Sequence, residues 1–133
     1  REHRVPITSK MLDLINKQSH SEHNNLVFRG LKGGKLSDMT LSALMKRMNE
    51  TALIETGIGF IDPKQGNRPA VPHGLRSTFR GWVAENQHSR EAAELQLSHH
   101  VGSKVDHAYY RTDLIVERAR ILDAWGNFLE RSL

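Results

Sequence analysis

A chain of 133 residues with no cysteine has room for one domain with one core, and it excludes disulfides and thiolate metal sites. Its 38% hydrophobic and 26% charged residues fit a soluble globular fold. No apolar run reaches the ~18–20 residues of a membrane span, and no secretory segment is present. The net charge of +4 points toward a polyanionic partner.

In chain order, Arg4-Val5-Pro6-Ile7 reads as a short strand. The chain enters this strand at once and without a methionine, which reads as a fragment of something longer. Thr8 or Ser9 caps a first helix that carries Met11, Leu12 and Ile15 inward. Residues 18–25 form a polar loop. Leu26-Val27-Phe28 is an element end or a short strand, and residues 30–35 make a turn around Gly33 and Gly34.

Ser37 caps a second helix, in which Leu41, Leu44, Met45 and Met48 recur at i, i+3, i+4 and i+7. Residues 57–68 form a loop broken by Gly57, Gly59, Pro63 and Gly66. A third helix follows Pro72 and buries Leu75, Phe79, Trp82 and Val83. A fourth covers residues 89–97. The longest covers residues 114–129, with Ile115, Ala119, Leu122, Trp125 and Leu129 along one side. The expected class is mainly α with a small amino-terminal β element (α+β), in one domain without repeats or internal linkers.

Charge is concentrated locally. Residues 63–84 contain no Asp or Glu but hold Lys64, Arg68, Arg76 and Arg80, with His73 among them. At 100° per residue, His73, Arg76 and Arg80 fall within about 60° of one another beside the apolar stripe. The positive end of the third helix favours an anion there, and a guanidinium fork matches two phosphate oxygens. The bland alternative is a solvated basic face with a capping histidine.

His99 and His100 end the fourth helix, where histidines commonly cap carbonyls. Tyr109 and Tyr110 follow. An isolated tyrosine ordinarily sits at the edge of a core, and a phenol with a pKa near 10 attacks only beside a base and cations. The residues by themselves leave these alternatives open.

The order of these residues resembles the catalytic domain of the tyrosine recombinases, in particular the phage and prophage integrases. That signature runs His-x-x-Arg, then Leu-x-His, then a tyrosine nine or ten residues later. Here stand His73-Gly74-Leu75-Arg76, Leu97-Ser98-His99 and Tyr109, with similar flanks at residues 1–7, 26–28 and 108–111 and at Arg118 and Trp125. The resemblance implies that residues 1–133 are the carboxyl-terminal part of such a domain, truncated at its amino end. The core-binding domain, an earlier catalytic arginine and a hairpin lysine have no counterpart in it. Arg1, Arg4 and Lys10 do not match the last two. Taken alone, such a piece is expected to be weak or inactive.

The resemblance also implies roles. Tyr109, with Tyr110 as the fallback, attacks the scissile phosphate to form a 3′-phosphotyrosyl bond and release a 5′-hydroxyl. Arg76 stabilises the non-bridging oxygens, His73 exchanges a proton or hydrogen-bonds the phosphate, and His99 hydrogen-bonds it as well. Lys64, Arg68, Arg80 and Lys104 are expected to face DNA. Neither cofactor nor metal is implied. The expected partner is a double-stranded attachment site, bound by a tetramer of the full-length protein in the bacterial cytoplasm at the nucleoid. Trp125 and Leu129 either close the core or dock on a neighbouring protomer.

Two other classes compete. A helix-turn-helix type of DNA-binding module fits the charge but gives no reason for His99 and Tyr109, and an integrase that has lost activity is a variant of the first reading. A metal-dependent hydrolase is suggested by His20 with His23, and by His99, His100 and His107, but it lacks His-Glu-x-x-His and any acidic cluster at ligand spacing.

Overall fold

The computed structural model describes residues 2–18, 25–99 and 112–131. His20, His23, His100, Lys104, His107, Tyr109 and Tyr110 lie outside the described residues. The elements are α1 (Ser9–Asn16), α2 (Thr40–Thr56), β1 (Ile61–Asp62), a 3-10 turn (Pro63–Gln65), β2 (Arg68–Pro69), α3 (Gly74–Glu85), α4 (Arg90–Gln96) and α5 (Ile115–Arg131). The fold is mainly helical with one small antiparallel sheet, in which Ile61 faces Pro69 and Asp62 faces Arg68. Among the described residues no helix is long and apolar enough to cross a membrane.

The chain forms two compact units, one of Arg1–Ser19 with Thr78–Leu133 and one of His20–Ser77, and α3 runs through the division. The first unit holds the core. Phe79, Trp82 and Val83 on α3, Ala92 and Ala93 on α4 and Ile121 on α5 are buried together, with Leu97, Leu114, Leu122, Ala124 and Trp125 packed against them. The alanines keep α4 thin, so this short helix sits close to α5. Trp82 stacks among Phe79, Trp125, Phe128 and the ring of His88, with centroids 4.9–6.5 Å apart. Aromatic pairs in this range add attraction beyond the area they bury.

Caps mark the helices as the side chains dictate. Thr8 Oγ1 accepts the Met11 N–H at 3.2 Å to open α1, and Ser89 Oγ accepts the Ala92 N–H at 3.1 Å to open α4. The far ends of α3 and α4 share one device. After α3, the Gln87 N–H donates to the Ala84 carbonyl and the His88 N–H to that of Val83, with Gln87 at φ 56°. After α4, the Ser98 N–H donates to Leu95 and the His99 N–H to Glu94, with Ser98 at φ 57°. Both are Schellman closures with a left-handed residue where glycine is the usual choice. Each closure folds the following histidine back along the helix it ends. Across the unit, α1 packs on α5 at Gly126, where an added Cβ would meet the Lys10 stem at 3.0 Å. The Lys10 ammonium reaches Glu130.

Leu12 and Leu75, expected to face inward, are exposed, and three further sequence expectations change. Residues 5–7 carry no strand: Pro6 has no N–H to give to a ladder, and this segment is held instead through the Arg4 carbonyl. The sheet lies within residues 57–68 and the residue after them, a stretch that reads as loop because its strands pair only two residues each. On α5 Leu122 and Trp125 pack against the core as expected, while Leu129 is exposed and the fully buried positions are Arg118 and Ile121, beside the apolar stripe rather than on it.

In the His20–Ser77 unit no described residue is buried. Ser37 Oγ accepts the Met39 N–H, which closes a turn, and α2 begins three residues beyond Ser37 without a side-chain cap. Leu41, Leu44 and Met48 are exposed rather than inward, and Met45 is half-buried. Strands of two residues offer no face broad enough to cover that stripe. Gly57, left-handed at φ 71°, ends α2. The next turn brings Gly59 against the α2 side chains of Asn49 and Leu53.

Candidate active site

The candidate residues distribute over the two units. In His20–Ser77, the Asp62 carboxylate accepts the Lys64 N–H at 2.9 Å, and Gly66 and Asn67, both left-handed, turn the chain so that Arg68 returns opposite Asp62. Lys64 and Arg68 are exposed on this hairpin. Further on, the N–H groups of Gly74, Leu75 and Arg76 donate to the carbonyls of Val71, Pro72 and His73, at 2.9, 3.2 and 3.1 Å. These three-residue turns wind the chain into α3 more tightly than an α-helix. His73 therefore stands in the entry turn, exposed and one residue ahead of the helix on which it was expected. Arg76 lies in the first turn of α3 and is half-buried.

In the other unit the structure brings Arg80 and His99 together through a residue that the sequence reading passed over. Glu94, on the last turn of α4, holds the Arg80 guanidinium at 2.6 Å on Oε1 and the His99 Nδ1 at 2.5 Å on Oε2. Its side chain is 15% exposed, against 46% for Arg80 and 39% for His99. Burial alone would raise the carboxyl pKa. The hydrogen bond from His99 and the charges of Arg80, His99 and Arg90 outweigh burial and hold it below its ordinary value of 4.5. Glu94 is thus an anion at neutral pH. A guanidinium has five donors, so one bond to Glu94 does not exhaust Arg80.

A second polar centre is built on α5. The buried Arg118 guanidinium donates through Nε to Gln96 Oε1 at 3.0 Å, through Nη1 to the Asp113 carbonyl at 3.3 Å, and through Nη2 to the Arg4 carbonyl. Burial pushes its pKa down, and the Asp113 carboxylate partly restores it. Asp113 also accepts the Arg4 guanidinium at 2.6 Å. Although burial raises the Asp113 pKa, that bond and the Arg4 charge bring it below the usual range. One side chain thereby grips the residue three before His99 and the residue four after Tyr109.

The sequence signals for these missed residues were present but faint. Glu94 lies five residues before His99, a separation that juxtaposes side chains only when a helix ends between them in a Schellman turn. Arg118, a charged residue on an amphipathic helix, reads as solvent-facing until its three acceptors are in place. Lys104 and the two tyrosines lie outside the described residues.

The sequence profile of the phage integrase family matches residues 1–114, and the chain belongs to that family, the tyrosine recombinases. No curated protein and no solved structure matches it significantly.

Proposed function

We infer that this chain carries the strand-exchange chemistry of a site-specific DNA recombinase that integrates and excises phage or prophage DNA. The observation that carries the reading is the family match over residues 1–114, a span that contains His73, Arg76, His99 and Tyr109 in the family's order. The reading makes residues 1–133 the carboxyl-terminal part of the catalytic domain.

In this mechanism the Tyr109 Oη attacks the scissile phosphorus. A P–O bond to tyrosine forms as the P–O5′ bond breaks, and the departing oxygen takes a proton to become a 5′-hydroxyl. His73 exchanges the proton at the tyrosyl or leaving oxygen. Arg76 meets the charge on the non-bridging oxygens with a fixed guanidinium, and His99 donates a further hydrogen bond to them. A 5′-hydroxyl from a second duplex then attacks the phosphotyrosine, reverses each bond change and joins new strands. One phosphodiester-like bond replaces another at every step, so no high-energy nucleotide is consumed. Lys64, Arg68, Arg80 and Lys104 hold the flanking backbone. The full-length protein acts as a tetramer on two duplexes, at the nucleoid in the bacterial cytoplasm.

The test is covalent trapping. The full-length protein is mixed with a nicked attachment-site duplex from which the short 5′-hydroxyl strand diffuses away. A protein–DNA adduct is expected, abolished in Tyr109→Phe and cut by at least a hundredfold in Arg76→Ala with DNA affinity reduced far less. An adduct that persists in Tyr109→Phe and vanishes in Tyr110→Phe moves the nucleophile by one residue. Absence of an adduct with every duplex that the protein binds sequence-specifically refutes the reading. DNA binding itself should weaken steeply with salt as phosphates are neutralised by Lys and Arg.

A further inference from the structure

We propose that Glu94 is a positioning residue for His99: its carboxylate takes the Nδ1–H and holds the imidazole in one orientation, so that Nε2 is the nitrogen turned to the DNA phosphate, to which the protonated ring donates. The proposal rests on the role given to His99 above and deepens it.

The geometry converges from the backbone and from the side chains. The Schellman turn at Ser98 returns the chain so that the His99 N–H bonds the Glu94 carbonyl at 2.9 Å. The same two residues then meet again through their side chains, Nδ1 to Oε2 at 2.5 Å. With both attachments made to one residue, the ring has little freedom left. A carboxylate has no proton to give and only accepts, so the nitrogen facing it must carry the hydrogen. Nε2 is then aimed away from Glu94; it is a lone-pair site in the neutral ring and a donor in the charged ring, and it is the charged ring that bonds a phosphate oxygen. This is the logic by which a buried carboxylate sets the tautomer of a histidine that works through its other nitrogen.

Arg80 completes the arrangement. It occupies the other carboxylate oxygen at 2.6 Å, so Glu94 cannot rotate without breaking an ion pair. Its positive charge, with that of Arg90, keeps Glu94 ionised, as the depressed pKa of that carboxyl reflects. Arg80 thus has a task apart from any DNA contact. It clamps the residue that clamps His99.

A purely structural Glu94 would link α3 to the end of α4 without any bearing on the state of the ring. Two measurements separate these roles. Long-range proton–nitrogen correlation spectra of the protein report the tautomer of neutral His99 directly, without DNA. Covalent trapping on the nicked duplex reports the chemistry. Glu94→Met fills the volume with no acceptor, and Glu94→Gln keeps an oxygen that can accept from Nδ1–H, so it serves as the conservative rescue and as the folding control.

The wild type and Glu94→Gln should show the Nδ1–H form, and Glu94→Met should lose it in favour of the Nε2–H form preferred by free imidazole. Adduct formation in Glu94→Met should slow about tenfold to a hundredfold, a part of what a fixed donor to the transition-state charge contributes, because the ring loses both its orientation and the anion that pairs with its charged form. The double variant Glu94→Met/His99→Ala should be no slower than His99→Ala alone, because the one acts through the other. An unchanged tautomer in Glu94→Met, or losses that multiply in the double variant, would overturn the assignment of Glu94 while leaving the recombinase reading intact. If His99→Ala alone left adduct formation unchanged, the role of His99 would fail first and that of Glu94 with it.

Discussion

Replacing Arg118 with alanine tests the structure where one side chain holds the most. The guanidinium is 2% exposed and satisfies three acceptors: the Gln96 side chain, the Asp113 carbonyl and the Arg4 carbonyl. A hydrogen bond from a charged donor contributes about 1.5–3 kcal/mol net, so three give an upper range of roughly 4.5–9 kcal/mol. Two changes reduce that figure. The half-buried Gln96 amide can turn to water, and removing a buried cation also removes its desolvation cost. The net loss should be about 3–5 kcal/mol, a large part of the roughly 5–15 kcal/mol that holds an ordinary domain folded. Urea denaturation followed by circular dichroism is the assay. At a slope of about 1.5–2 kcal/mol per molar, the midpoint should fall by roughly 2 M. Arg118→Lys keeps the charge but reaches one acceptor at a time, so it should fall between alanine and the wild type. An alanine variant within about 1 kcal/mol of the wild type would refute the view that these three bonds hold the amino-terminal segment and the end of α4 to α5.

Three further outcomes follow from the same coordinates. Trp82→Ala removes the centre of the aromatic group and should cost about 3–5 kcal/mol in the same denaturation assay, with loss of near-ultraviolet dichroism. Because the folded-state pKa of Glu94 is depressed, its contribution is fully present above the unfolded value and disappears as pH falls through the folded one. The stability gap between the wild type and Glu94→Gln should therefore be constant near neutrality and should close on acidification below about 4.5, as read from thermal melts across pH. Ser98→Gly relieves a left-handed backbone at φ 57° and should stabilise by about 0.5–1 kcal/mol, whereas Ser98→Val should destabilise by at least as much. Glycine without effect would argue against the closure at the end of α4.

The helices of the first unit were legible because their signals are local. Thr8 and Ser89 cap where a hydroxyl should, and Phe79, Trp82 and Val83 fall inward on a 3.6-residue period. The sheet was not legible. Val5 and Ile7 are good strand formers without a partner, while Ile61–Asp62 and Arg68–Pro69 pair through a turn whose Gly and Pro content reads as loop. The apolar period of α2 was real but did not signify burial, since Leu41, Leu44 and Met48 remain exposed. The order of the candidate residues His73, Arg76 and His99 was visible through the resemblance to the recombinases. The part played by Glu94 was not, because it depends on the direction the chain takes after Leu97, which is a tertiary fact rather than a periodic one. Arg118 was hidden for the opposite reason: charge is ordinarily a mark of the surface, and here three carbonyl-type oxygens replace water.

The repeated closure after α3 and α4 means that a common bracket mounts two imidazoles in one unit. In the first, the ring of His88 lands on an indole and becomes filler between aromatic plates. In the second, the ring of His99 lands on a carboxylate and becomes a group with a fixed polarity. The mount is indifferent to what the ring meets: Trp82, six residues back, gives one histidine an aromatic plate to pack on, and Glu94, five residues back, gives the other a hydrogen-bond partner.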